Sequence, residues 1–327
     1  MSWQYWQYLL LIPTTIFHLI LSLKERKMPR PGSAIDLGGY KVHLWLKGNK
    51  NSEQPTIVLD HSLGGIEGYL LSDRLAELAP VCIYDRPGYG WSEASPKPRC
   101  SAEIVRELDL MLTKAKIEPP YILVGDSFGS YNVRLYAHWF PEKVKGIVLT
   151  DGLHEAEMLN LPPTVAAVKY LFLSGFIMSI FGSLSGIIRL LGTFGLFEMI
   201  KPELRRFDIM QRQRIKRSFY HYSHWLTMAR ELINLNRSSR QVKVAQNLAM
   251  PIISIKSQNF FKPSLLTILL PLKTIDRLRN KMHSNLSALS DNFTEISASN
   301  SSHFVWTDEP EIIFEAIKQL VHYQKQS

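Results

Sequence analysis

The stretch YILVGDSFGS, Tyr121 to Ser130, decides how this 327-residue chain is read. Four apolar residues suited to a buried strand run into Gly125-Asp126-Ser127-Phe128-Gly129, and a helical pattern follows from Tyr131 to Phe140, ended by Pro141. A serine with a glycine two residues away on each side fits a sharp strand-to-helix turn that exposes the serine Oγ. Strand and helix crowd such a turn, so a Cβ at either glycine has no room, and the serine takes a strained backbone. Three matching positions arise by chance in roughly one chain in ten of this length. The flanking sequence therefore has to carry the reading.

Outward from that turn, short apolar runs alternate with helical patterns. Tyr40 to Lys47 (YKVHLWLK) alternates like a half-buried strand. Thr56 to Asp60 (TIVLD), Val81 to Tyr84 (VCIY) and Gly146 to Thr150 (GIVLT) are near-continuous apolar runs, the pattern of parallel strands covered on both faces. Ser101 to Ala115 sets Ile104, Val105, Leu108, Met111 and Leu112 on one helical face. About a hundred residues of helical character, His154 to Ala249, interrupt the alternation before Pro251 to Lys256 (PIISIK) and Asn292 to Ser297 (NFTEIS) resume it. A helix from Glu309 to about Tyr323 closes the chain. The expected architecture is α/β: a mostly parallel central sheet flanked by helices, with an inserted helical cap and an N-terminal membrane-anchor helix. The expected boundaries are 1–27 for the anchor, 28–153 and 250–327 for the two parts of the core, and 154–249 for the cap.

The anchor expectation rests on Trp3 to Leu23, which carries no formally charged side chain and would span about 31 Å as a helix, one bilayer core. Trp3, Tyr5, Trp6 and Tyr8 resemble an interfacial aromatic belt, and Lys24, Arg26, Lys27 and Arg30 follow at once. If the helix spans, that basic flank predicts a catalytic part on the cytoplasmic side. MPRPGS, Met28 to Ser33, reads as a linker. A second uncharged run, Tyr170 to Ile188, is expected to form apolar cap helices rather than a span, because a single crossing would separate the two halves of one sheet. Gly175, Gly182 and Gly186 argue against one uninterrupted helix there. The cap and the N-terminal helix are both candidates to meet membrane lipid, with the basic segment Arg205 to Arg217 beside them.

A formal charge of +9 admits nucleic acid, an anionic membrane surface or solubility alone. No zinc-finger, homeodomain or RNA-binding signature is present, so no nucleic-acid partner is expected. Two cysteines, Cys82 and Cys100, make no disulfide framework. His221 and His224 lack companion ligands and read as helix-face residues, so no metal and no cofactor are expected.

Three further segments give the turn at Ser127 its context. TIVLDHSLGG ends a strand in a small, Gly-containing loop able to lend a backbone N–H to an oxyanion, the second donor being the N–H of Phe128. YDRPGYGWSE, Tyr84 to Glu93, is a turn-rich loop, and NSSHFVWTDEP sets His303 just after the last strand. With these segments in this order, the chain resembles the α/β-hydrolase superfamily over about Gly38 to Val321, and within it the capped, AB hydrolase-1-like serine hydrolases. The resemblance implies a Ser…Asp/Glu…His order, Ser127 as nucleophile, His303 as general base and Leu63 as the first oxyanion donor. It implies hydrolysis of an ester-type, lipophilic small substrate through an acyl-enzyme. Acyl transfer, haloperoxidase or lyase chemistry, and a non-catalytic membrane-tethered role, are the alternatives. Two positions depart from the family pattern. Asp126 stands where histidine is common and reads as a residue of the pocket or of the layer behind it; His61 is a second pocket candidate. The usual place of the triad acid, after the strand that follows the cap, reads SQNFFKPSLL and holds no carboxylate. Asp151, at the end of GIVLT, is the favoured acid; Asp276 and Asp291 are the alternatives.

Overall fold

A computed structural model describes residues 4–26, 30–49, 52–65, 67–262 and 267–323, with the side chains of 4–10 and 26 excepted. Trp3 and the side chains of Tyr5, Trp6 and Tyr8 of the expected aromatic belt, and the start of the expected linker, lie outside what is described.

The strand runs with the clearest apolar signal form the middle of the sheet. β1 (Ser33–Asp36), β2 (Lys41–Lys47), β3 (Thr56–Asp60), β4 (Val81–Tyr84), β5 (Tyr121–Asp126), β6 (Val144–Thr150), β7 (Ile252–Ser257) and β8 (Phe293–Ala298) make one eight-stranded sheet. Their order is β1-β2-β4-β3-β5-β6-β7-β8. β1, β2 and β4 pair antiparallel; every pair from β4 through β3 to β8 is parallel. Ile57, Val58 and Leu59 are wholly buried, as strands covered on both faces require. Each such side chain contributes about 1.5–3 kcal/mol.

α2 (Gly68–Leu75), α3 (Ser101–Lys114), α4 (Gly129–Trp139), α12 (Leu272–Leu286) and α14 (Pro310–Val321) flank the sheet. Between β6 and β7 the chain is helical: α5 (Glu155–Leu159), α6 (Pro163–Leu184), α7 (Ile187–Thr193), α8 (Leu196–Ile200), α9 (Ile209–Phe219), α10 (Tyr222–Ile233) and α11 (Leu235–Val242). α13 (Val305–Asp308) follows the loop that holds His303. This is the α/β-hydrolase fold. Two details differ from expectation. β1 begins inside the expected linker, because its backbone pairs with β2 from Ser33↔Leu44 to Asp36↔Lys41 while its side chains stay mostly exposed. α6 runs unbroken through Gly175 and Gly182 and stops only before Gly186, whose φ of 79° no continuing helix tolerates. Each interior glycine costs about 1 kcal/mol against alanine, and packing of α6 on α10 offsets that cost.

α1 (Gln4–Arg26) contains Pro13 and is docked on the cap rather than standing free of it. Arg189 of α7, buried, donates to His18 Nδ1 (3.1 Å), Ser22 Oγ (3.2 Å) and Glu25 Oε2 (2.9 Å). Among the described residues, the helix long and apolar enough to cross a membrane is α6.

Candidate active site

Ser127 sits on the turn between β5 and α4 with φ 49°. A Cβ at Gly125 would meet Val133 and the Gly129 backbone; one at Gly129 would strike the Asp60 carbonyl oxygen. The Ser127 N–H donates to Thr150 O (3.0 Å), and Ser130 N–H returns to Ser127 O (3.0 Å). The strained turn is therefore held from both sides, as a nucleophile elbow requires.

The sheet order brings the other two groups to the same edge. β5, β6 and β7 are parallel neighbours, so residues 127 and 151 leave the sheet at their carboxyl ends, and the loop after β8 carries His303 over that edge. His303 Nδ1 lies 2.6 Å from Asp151 Oδ2 and Nε2 lies 2.9 Å from Ser127 Oγ. A carboxylate only accepts, so Nδ1 carries the proton and Nε2 accepts from the serine hydroxyl. The Phe260 ring stacks on the imidazole at 4.3 Å, and the His303 N–H donates to Phe260 O (3.1 Å).

Asp151 takes φ 43° and is buried. Its Oδ1 accepts from Ser257 N–H (3.2 Å), Arg279 Nη1 (3.1 Å) and His283 Nε2 (3.0 Å). Burial pushes its carboxyl pKa up, but the hydrogen bonds from His283 and His303 prevail and hold it well below the usual carboxylate range. Arg279 also donates to Ser257 O and Gln258 O, so a guanidinium fills the place after β7 where the family usually sets its acid. Asp276 accepts from Phe260 N–H (2.8 Å) and so supports the ring stacked on His303. Asp291 is exposed just before β8. Neither reaches the imidazole.

Leu63 and Phe128 both line a cavity of about 420 Å³ above Ser127. Among the described residues neither backbone N–H has a partner in the protein, so both are free to receive an oxyanion. From the cap, Val165, Val168, Phe172, Phe176 and Met228 line the same cavity, which is almost wholly apolar. The two pocket candidates fall behind it. Asp126 accepts from Thr150 Oγ1, itself held by Trp306 Nε1 (3.0 Å). Burial, reinforced by the Glu67 carboxylate, raises the Asp126 pKa well above the usual range. Asp126 thus braces the elbow from below. His61 does not line the cavity either: alternation past β3 turns its ring under α2, where Nδ1 accepts from Gly68 N–H (3.3 Å). Burial lowers its pKa to about 3, so the ring is neutral.

Sequence reasoning missed four contributors: Glu67, Arg86, Arg279 and His283. Glu67 lines the cavity and accepts from Ser62 Oγ (2.9 Å). Arg279 and His283 are four apart on α12, one helical face, which was the available signal. Within the turn-rich loop the pinning contact belongs to Asp85, which accepts from Trp91 N–H (2.9 Å). Arg86 instead donates to Asp60 Oδ1 (2.6 Å) and to the carbonyls of His61 (2.6 Å) and Ser62 (2.8 Å). It also pairs through Nε and Nη2 with Glu231 of α10, both at 3.0 Å. One buried guanidinium thus joins the Leu63 loop to the cap. Replacing Arg86 with Met is expected to cost about 3–5 kcal/mol, because Asp60 and Glu231 lose their buried counter-charge and keep only the hydroxyls of Tyr84 and Tyr89. An unfolding free energy from urea denaturation within about 1 kcal/mol of the parent protein's would refute this. His224 is buried in the cap with Ser218 Oγ at 2.7 Å, and among the described residues no group of three or more His, Cys, Asp or Glu could hold a metal.

A sequence-family profile described as the alpha/beta hydrolase fold matches residues 55–177. The chain is 33% identical over 129 residues to a vacuolar membrane protein of Saccharomyces cerevisiae, covering 35% of this chain and 20% of that one. It is 29% identical over 173 residues to the abhydrolase domain-containing protein abhd-5.2 of Caenorhabditis elegans, covering 48% and 38%. The chain therefore spans less than half the length of these curated relatives. Among solved structures it is similar to MGS-M2, an alpha/beta hydrolase enzyme from a deep-sea metagenome library. The TM-score is 0.64 at 14% identity, with 90% of this chain and 99% of that one covered. That likeness shows the fold.

Proposed function

We propose that this member of the α/β-hydrolase superfamily is a serine hydrolase that cleaves a lipophilic ester through an acyl-enzyme. The observation that carries the reading is the unbroken hydrogen-bonded series Ser127–His303–Asp151 opening into an apolar cavity. His303 Nε2 takes the Ser127 proton as Oγ attacks the ester carbonyl carbon. The carbonyl oxygen gains the negative charge and is received by the N–H groups of Leu63 and Phe128, each such donor worth about 10²–10³ in rate. Asp151 steadies the imidazolium, which then protonates the departing alcohol. Water, deprotonated by His303, attacks the acyl-enzyme and releases the acid and Ser127. The apolar lining favours an acyl chain over a polar acid, because burying unpaired polar groups there costs free energy.

Association with a membrane belongs to the same reading. The yeast relative is a vacuolar membrane protein, and α6 has the length and apolarity that a bilayer contact needs. The basic flank at Lys24 and Arg30 suits an anionic leaflet, as on the cytoplasmic side of membranes, and so favours that side for the catalytic part.

The test is active-site labelling. A fluorophosphonate should modify Ser127, located by peptide mass, and a short-chain nitrophenyl ester should be hydrolysed. Absence of both ends the reading. Product analysis with water and alcohol offered together separates hydrolysis from acyl transfer.

A further inference from the structure

From Tyr170 on, α6 carries no charged residue and is apolar on most of its circumference. One face, with Val165, Val168, Phe172 and Phe176, looks into the cavity. The opposite face leaves Leu171, Ile177, Met178 and Phe181 exposed, Met178 at 73% and Phe181 at 68%. A helix apolar on all sides is stable only when its second face is covered too.

α1 does not provide that cover. It packs where α6 turns into α7: Thr15 Oγ1 lies 3.2 Å from Ser185 O, and a Cβ at Gly186 would strike the Thr14 carbonyl oxygen. Beyond this close approach comes the buried cluster of Arg189 with His18, Ser22 and Glu25. Leaving that seat to span a bilayer would strand the Arg189 charge inside the cap, which is strongly unfavourable. The rest of α1 presents Ile12, Ile16, Leu19, Ile20 and Leu23 to the outside, all exposed. The apolar faces of α1 and α6 therefore adjoin at residues 185–186, and Leu191, Phe194 and Met199 extend them, all exposed. A patch of this size marks an interaction surface.

Two observations identify what it meets. Lys24, in the last turn of α1, is exposed beside Ile20 and Leu23 and suits anionic headgroups. A second copy of this chain would instead bring another +9 to the contact. Meanwhile Phe172 and Phe304 line the cavity and are 39% and 42% exposed, so the cavity's rim is continuous with the α6 face.

We propose that α1, α6 and α7 form one monotopic docking surface that lies in the interfacial layer of an anionic bilayer. The cavity mouth then opens toward the acyl region, so that a bilayer-resident acyl ester enters without crossing water. The docking stands on the surface alone; the substrate class rests on the serine-hydrolase reading.

The test is flotation of the full chain with phosphatidylcholine vesicles, with and without phosphatidylserine. The double variant Met178→Glu/Phe181→Glu is compared with the parent protein; neither residue lines the cavity. Hydrolysis of a water-soluble short-chain ester and the circular-dichroism spectrum report on the fold. The parent protein is expected to float, more so with phosphatidylserine. The variant is expected to lose binding by at least about tenfold, with fold and soluble-ester rate kept. Undiminished flotation of the variant, or resistance of its binding to alkaline carbonate, would mean that α1 spans on its own and would overturn the proposal. Self-association that the variant abolishes, with no vesicle binding by the parent protein, would assign the face to a second copy and overturn it equally. Vesicle binding with no soluble-ester hydrolysis by either protein keeps the docking surface and removes only the serine-hydrolase reading.

Discussion

Replacing Ser127 with alanine is expected to abolish fluorophosphonate labelling and to lower kcat on a short-chain nitrophenyl ester by at least about 10⁴. The effect is large because the Oγ is the atom that forms the covalent bond; with it gone, the free N–H groups of Leu63 and Phe128 can only polarise the ester for attack by water. The substitution is mild for the fold. Ser127 is held at φ 49° through its backbone, by Thr150 O and Ser130 N–H, and alanine tolerates that φ about as poorly as serine does. The side chain's partner in the structure is His303, which keeps Asp151 on its other nitrogen. Unchanged thermal unfolding with full loss of activity is the expected pair of results. Activity near that of the parent protein would remove Ser127 from the chemistry.

The second large effect is expected from Asp151→Asn, with kcat lower by about 10⁴. The structure supplies the reason through the other oxygen of that carboxylate. Oδ1 receives three donors, from Ser257, Arg279 and His283. The oxygen of an introduced amide is required there, because its NH₂ facing those donors leaves the N–H groups of Ser257 and His283 unsatisfied. The NH₂ is thus turned toward His303 Nδ1 and donates to it. The ring is then forced to carry its proton on Nε2, where it can no longer accept the Ser127 proton. Asp276→Asn still offers an oxygen to Phe260 N–H, and Asp291 is exposed, so both variants should keep rates within a few-fold of the parent protein. The comparison of kcat across the three variants decides the matter. A large loss at Asp276 or Asp291, with Asp151→Asn near normal, would move the acid to the later block of the chain.

The elements legible from sequence are those whose burial is two-sided. TIVLD and VCIY coincide with β3 and β4, because a strand covered on both faces must be apolar from end to end and is bounded where that requirement stops. The elbow was legible for a related reason: Gly125 and Gly129 are dictated by local crowding, and local crowding is written in adjacent residues. Such features follow from the chain's own period and its nearest neighbours. β1 was not legible, since an edge strand needs only backbone pairing on one side and imposes little on its side chains. Nor was the continuity of α6, whose two interior glycines are outweighed by packing against α10. The pairing of Arg86 with Glu231 joins groups 145 residues apart. The seat of α1 on Arg189 and the three donors on Asp151 are likewise contacts between distant segments. Sequence alone determined the fold class and put forward the serine, the histidine and a short choice of acids. Tertiary structure alone decided which acid meets the imidazole, which candidates face the cavity and how the first helix sits, because each depends on the direction of a side chain relative to groups that only the folded chain brings near.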